Sequence, residues 1–353
     1  MSEAKANTVT LHWDIGTAYE LLVSLQVLHN PEFHGIRASW AAGIRSRIPA
    51  AERKFLEEIL PFFGISICWV SQLPEPKDAM SLLWTLRQIP PAERATRVMC
   101  LERWKMPEAQ VLLRTAEKGA WNQDDFEQIA AKFCKDKAGH SKENLKRFLD
   151  RWVRPEEFGE MLFEALQTYQ QAFFEEEEKR IAPVLQAGLA QAQELAERLS
   201  VSDLLVELSQ GVRLEVAPEV KEITIIPAYW TTPLVMWDYD GEEKMQILFG
   251  ARPATMSAIP GEVVPDGLVR ALKAISDPTR LKILRYLSHE TLTPSDLARR
   301  LHLRAPTLTH HLNELRLAGL VNLDVHGQEK HYATRREALR QATQNLESFL
   351  DDD

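Results

Sequence analysis

Residues 277–331 carry start signals, stop signals and apolar spacing at a density that few folds can accommodate. Leu268, Leu272 and Ile275 stand at helical spacing ahead of Ser276-Asp277-Pro278. Ser276 or Asp277 can accept from the free amides of the next helix, and Pro278 takes its first position, where a missing N–H costs nothing. That helix carries Leu281, Ile283, Leu284 and Leu287, with Arg280, Lys282 and Arg285 between them. Thr293-Pro294-Ser295-Asp296 starts another short helix, with Leu297, Ala298 and Leu301 facing inward. The turn His302-Leu303-Arg304 leads to Pro306, and Leu308, Leu312 and Leu315 form the next apolar stripe. Gly319 supplies the left-handed residue that ends such a helix. Residues 321–325 and 329–333 then pair around His326-Gly327-Gln328. Three short helices and a hairpin in this order are what a winged helix-turn-helix needs.

The helix over 303–317 has a polar side opposite its leucines. Thr307, His310, Asn313 and Glu314 lie there, with Thr309 and Arg316 towards its flanks. Small polar groups near a helix N-terminus suit base edges and phosphates. Arg304, Ala305, Thr307, Thr309, His310 and Asn313, with His326, Gln328 and Lys330 of the wing, are therefore the candidate DNA contacts.

These pieces resemble the ArsR/SmtB family of bacterial winged-helix repressors. The matching residues are Asp277-Pro278-Thr279-Arg280, the leucine-rich helix with His311-Leu312, Ala318-Gly319-Leu320-Val321, and a wing followed by Tyr332. The resemblance covers about 80 residues and says nothing of 1–260. It implies a repressor that binds double-stranded DNA as a homodimer, with the first and last helices of the module at the interface. Here those are about 266–275 and 335–350, the second with Leu339, Ala342, Leu346 and Phe349 at helical spacing. Two recognition helices one turn apart would read an imperfect palindrome. The family's metal sensors are not matched. Thr293 and Ser295 stand where those carry cysteines, and 336–349 has no histidine. His326 and His331 could approach across the wing, but two ligands do not make a site. No metal and no cofactor is expected.

The formal charge of −9 suits a DNA binder only once it is divided. Residues 266–340 carry +5, the tail 341–353 carries −4, and residues 1–265 carry −10. Phosphate binding needs a local cationic surface, not a cationic whole. An acidic N-terminal region would then have to stand off the duplex.

That region is harder to read. Residues 17–200 have helical texture, opened by a candidate capping box at Thr17-Ala18-Tyr19-Glu20 and punctuated by prolines. A long helical pattern runs over 156–200, where Pro183 should kink or split it and the glutamates at 175–178 read as a solvated face. From 211 the texture changes. Residues 212–216 alternate, 223–226 are β-branched, and two runs flank Asp240-Gly241, a tight-turn signal. All nine tryptophans precede residue 238 and either fill the core or line an aromatic pocket.

The fold class expected is mainly α with a small antiparallel β-sheet. A helical region spans 1–200, a small β region packed on it spans 201–258, and the winged helix-turn-helix with its C-terminal dimerisation helix spans 264–350. At 353 residues the chain can hold more than one core. It has no leader-like N-terminus, no apolar run of membrane length, and three cysteines without CxxC spacing, which points to the cytoplasm. No phosphate loop, dinucleotide fingerprint or nucleophile elbow is present, and His12, His29, His34 and His140 are isolated. The function expected is a DNA-binding regulator whose N-terminal region dimerises, senses an unknown small molecule, or both. The alternative is an enzyme with an appended DNA module.

Overall fold

The fold is that of a computed structural model, which describes residues 9–64, 67–103, 106–134, 140–214, 216–326 and 329–351. The N-terminal region is helical in Thr17–His29 (α1), Ala38–Arg45 (α2), Ala50–Ile59 (α3), Ile67–Ser71 (α4), Ala79–Gln88 (α5) and Pro91–Val98 (α6). It continues with Pro107–Lys118 (α7), Gln123–Phe133 (α8), Lys142–Trp152 (α9), Pro155–Tyr169 (α10), Glu175–Ala196 (α11) and Val201–Leu208 (α12). Their apolar faces enclose an aromatic-rich core in which Trp152, Phe148, Phe158 and Phe55 meet edge to face or stacked.

The sheet beside these helices is mixed, not antiparallel. Thr10–Trp13 (β1), Glu222–Ala228 (β3), Val235–Tyr239 (β4) and Lys244–Gly250 (β5) lie in the order β1-β3-β5-β4. Strands β1, β3 and β5 are parallel, and only β4 returns antiparallel, through the turn at Asp240-Gly241. Sequence period reports which faces are covered but not a strand's direction or partner. Strand β3 is buried on both faces, as parallel strands are. One face packs on the helical core through Ile226, Ala228 and Leu248. The other packs Ile223, Ile225 and Ile247 on Leu204, Leu205 and Ala192.

Several local expectations yield to tertiary demands. Gly16, not a side chain, precedes α1, so Thr17 caps nothing there. The Thr17 hydroxyl instead donates to Glu178, which also accepts from the Ala79 amide at 2.9 Å. Glu20 is buried and accepts from the Tyr229 and Trp230 amides at the end of β3. Burial pushes its carboxyl up to about 8. The 175–178 run is solvated only in part: Glu175 and Glu176 are exposed, but Glu177 is 3% exposed and pairs with Arg180. Helix α11 runs through Pro183 unbroken, because Ile181, Leu185, Gly188 and Ala192 hold it to the core. The change of register lies upstream, in a π-turn at Gln170–Phe174.

The C-terminal module comprises Asp266–Ile275 (α13), Pro278–Leu287 (α14), Pro294–Leu301 (α15), Ala305–Leu317 (α16), the hairpin Val321–His326 (β6) and Glu329–Thr334 (β7), and Arg336–Asp351 (α17). Its core is Ile283, Leu287, Leu297, Leu308, Leu312, Leu315 and Tyr332. The alternating run at 212–216 does not join the N-terminal sheet. Only Val212–Arg213 is a strand (β2), and it pairs parallel with β6, so the wing sheet has three strands in the order β2-β6-β7. Glu215 lies outside the described residues.

Helix α13 is held to the N-terminal region by a charged network. Arg180 donates to Glu177 at 2.9 Å and to the Tyr229 hydroxyl at 2.8 Å, while Arg252 lies over the Tyr229 ring. Arg252 also reaches Asp266 at 3.8 Å. Asp266 in turn accepts from the Ala258 amide at 2.6 Å, and Arg270 donates to the His34 carbonyl at 3.2 Å.

Burial lowers both His29 and His34 to about 4. The unfolded chain therefore binds more protons than the folded one between pH 6.5 and 4, so stability is lost as pH falls through that window. The loss is up to roughly 3 kcal/mol for each group. In urea titrations a His29→Gln/His34→Gln double variant should lose less stability than wild type between those pH values. Parallel curves would remove these histidines from the acid response.

Candidate nucleic-acid interface

The caps that the sequence advertises position the module's helices. Asp277 precedes α14 and accepts from the Arg280 amide at 2.9 Å. That bond, and the Arg280 charge, hold its carboxyl below the usual range. Thr293 precedes α15 and accepts from the Asp296 amide at 3.2 Å. Helix α16 ends in a Schellman motif: Leu320 N–H donates to the Leu315 carbonyl at 3.0 Å and Gly319 N–H to the Arg316 carbonyl at 2.9 Å. Gly319 sits at φ +67°, where a side chain would be strained.

Helix α16 buries Leu308, Leu312, Leu315 and Leu317. The side away from these leucines carries Pro306, Thr309, His310, Asn313 and Arg316. Thr309 and His310 are exposed and Asn313 is half-buried. The Thr309 hydroxyl donates to the Ala305 carbonyl at 2.9 Å, which leaves its oxygen lone pairs facing outward as acceptors. Arg304, Ala305 and Thr307 are exposed around the helix N-terminus, outside the cleft that Thr309 and His310 line. Glu314, expected beside His310, turns towards Arg280 at 4.0 Å. Lys330 is exposed on β7 and lines the same cleft as His310. Gln328 and the side chain of His326 lie outside the described residues. His311 points back towards Asp277 at 4.0 Å, so the adjacent histidines do face apart. Among the described residues no three histidine, cysteine or acidic side chains converge as a metal site.

This face looks across a half-open cleft. Across from it stand Val212 and Leu214 at the end of β2, Val235 and Trp237 of β4, and Met245 of β5, enclosing a cleft of about 810 Å³. The sequence asks the acidic N-terminal region to stand off bound DNA; in the chain by itself that region lies across the cleft from this helix. The β2–β6 pairing carries the sheet round to it. Trp237 is 47% exposed there, whereas Trp152 and Trp230 are fully enclosed in the core. The only signal for Trp237 was its place next to a hairpin turn, which says nothing of what lies opposite.

Arg316 is half-buried in the cleft wall, and its guanidinium meets the Asn313 side-chain oxygen at 3.3 Å. No carboxylate pairs with it among the described residues. Burial lowers its pKa and raises that of the neighbouring Tyr332 phenol. A guanidinium nevertheless stays charged in proteins.

Capped helices, a leucine-packed α16 and a β-wing define a winged helix-turn-helix module of the ArsR type. Residues 275–324 match the family model described as a helix-turn-helix domain. The transcriptional repressor SdpR of Bacillus subtilis (strain 168) is 35% identical over 78 residues, which is 22% of this chain and 87% of that protein. The arsenical resistance operon repressor of Staphylococcus xylosus is 38% identical over 76 residues, 22% of this chain and 73% of that protein. Residues 14–226, more than half of the chain, match the model of a family of unknown function (DUF5937), and the chain belongs to that family. No helix among the described residues is long and apolar enough to cross a membrane.

Proposed function

We propose that the chain is a transcriptional regulator of the ArsR type, a repressor acting in the cytoplasm on double-stranded DNA. Its 264–350 module reads the DNA, and the helical region and small sheet before it serve dimerisation, small-molecule sensing, or both. The observation that carries this reading is the outward face of α16, where Thr309, His310 and Asn313 lie together on a helix whose other side is fixed by leucines. Such a face can enter a major groove about 12 Å wide and offer hydroxyl, imidazole and amide groups to base edges. Exposed Arg304 and Lys330 flank it and supply phosphate contacts.

Two recognition helices roughly 34–36 Å apart would read the two halves of an imperfect palindrome. In support of a dimer, α17 leaves Leu339, Leu346 and Phe349 half-covered and Leu350 71% exposed in the single chain. With Thr293 and Ser295 at the positions where metal sensors carry cysteines, the effector is not a metal ion.

The test is binding to the DNA upstream of its own gene, read by fluorescence anisotropy at several salt concentrations. Thr309→Ala and His310→Ala should each cost roughly 1–3 kcal/mol on that DNA and less on random duplex. Arg304→Ala and Lys330→Ala should weaken both duplexes and lower the salt slope by about 1. Equal losses on both duplexes for Thr309→Ala and His310→Ala would remove them from base reading. Absence of any preference for the upstream DNA would refute the regulator reading.

Light scattering on the full chain should give twice the 40.3 kDa chain mass. A single-chain mass that persists in the DNA-bound state would contradict the two-fold model.

A further inference from the structure

Two bodies of different chemistry cannot both sit against the outward face of α16. Inserting the helix into a major groove roughly 8.5 Å deep brings groove walls along both of its flanks. Residues of β4 and β5 form the far wall of the cleft in front of it, whose volume is about 810 Å³. That volume falls within the roughly 300–1,000 Å³ of small-molecule sites, and far short of a duplex.

We propose that this cleft is the effector site, that its ligand is a small organic anion with a flat apolar body, and that ligand and DNA exclude one another. The proposal rests on the regulator reading above and deepens it by naming the site and the ligand class.

The charge of the lining selects the sign. Arg316 and Lys330 face the cleft, His310 stands beside them, and no aspartate or glutamate lines it among the described residues, in a chain of net charge −9. Arg316 has lost water without gaining a carboxylate; its side-chain partner is the neutral Asn313. A buried cation is costly until an anion answers it, and a guanidinium fork suits a planar carboxylate or sulfonate.

The remaining lining selects the body. Trp237 presents a half-exposed indole, and Val235, Met245, Val325 and Tyr332 continue an apolar surface around it. A flat ring laid on Trp237 would cover surface that water now meets, and stack on it with additional gain. The two kinds of contact come from different parts of the chain. The anion is held from α16 and the wing, the ring from the N-terminal sheet. A ligand that spans both binds only when the cleft is closed, whereas DNA needs α16 uncovered. Each therefore weakens the other by the same coupling free energy.

The test uses the full chain, with anilinonaphthalene sulfonate, a flat aromatic sulfonate, as the probe. Its fluorescence should report one saturable site. Trp237→Ala and Arg316→Gln, changes on opposite walls, should each weaken binding about tenfold or more. Trp84→Ala should leave binding unchanged, since Trp84 is 61% exposed on α5 and outside the cleft. Random-sequence duplex at low salt should displace the probe, and excess probe should raise the concentration of chain needed to bind duplex. No saturable binding, or binding equally strong in both cleft variants, overturns the site. Probe and duplex bound together with no mutual effect overturns the exclusion. Wild-type chain that binds no duplex contradicts the regulator reading, while the variants still decide whether the cleft holds the anion.

Discussion

The placement of the wing against the N-terminal region depends on a two-residue strand. Val212 and Arg213 align with Leu323 and Asp324, Leu323 N–H donates to the Gly211 carbonyl at 2.8 Å, and Arg213 pairs with Asp324 at 3.1 Å. Gly211 is at φ +102°, a conformation strained for any side chain, and it lies against Asn322 and the Val321 carbonyl of the wing. This joint adds a third strand to the wing and brings β4 opposite α16. Without it the cleft has only one wall.

The joint is also weak. A backbone hydrogen bond contributes roughly 0.5–1.5 kcal/mol net, and an exposed ion pair about 0–1. The other end of the module is held far more firmly. There Asp266 and Arg270 of α13 engage Ala258, Arg252 and the His34 carbonyl inside the N-terminal region, beside the Glu177–Arg180–Tyr229 network. Opening at the wing would leave α13 in place and uncover α16. A ligand in the cleft opposes that opening by tying Arg316 and Lys330 to Trp237, so a modest binding energy suffices to bias the equilibrium.

What the sequence made legible follows from the range of each interaction. Asp277, Thr293 and Gly319 act within a few residues of themselves, and the helices they cap and end could be read directly. The outward set Thr309, His310 and Asn313 was legible for the same reason, since the leucine stripe fixes which side faces away. Features decided by distant partners were not. Glu20 has the position of a capping residue, but it serves amides more than two hundred residues later. The parallel pairing of β1, β3 and β5 leaves no local trace, and the run at 212–216 shows strand texture without showing which sheet it joins. Trp237 was visible only as one of nine tryptophans, and its role depends on a wing contributed by residues 321–334.

Hydrogen exchange of the full chain with and without bound duplex tests most directly whether DNA and the N-terminal sheet compete for α16. Competition predicts that duplex slows exchange in the first turns of Ala305–Leu317 and, at the same time, speeds it at 211–213 and at Leu323, where the β2–β6 pairing is given up. Slowed exchange in α16 with 211–213 and Leu323 protected as before would mean that DNA is read with the cleft closed, and would contradict the account.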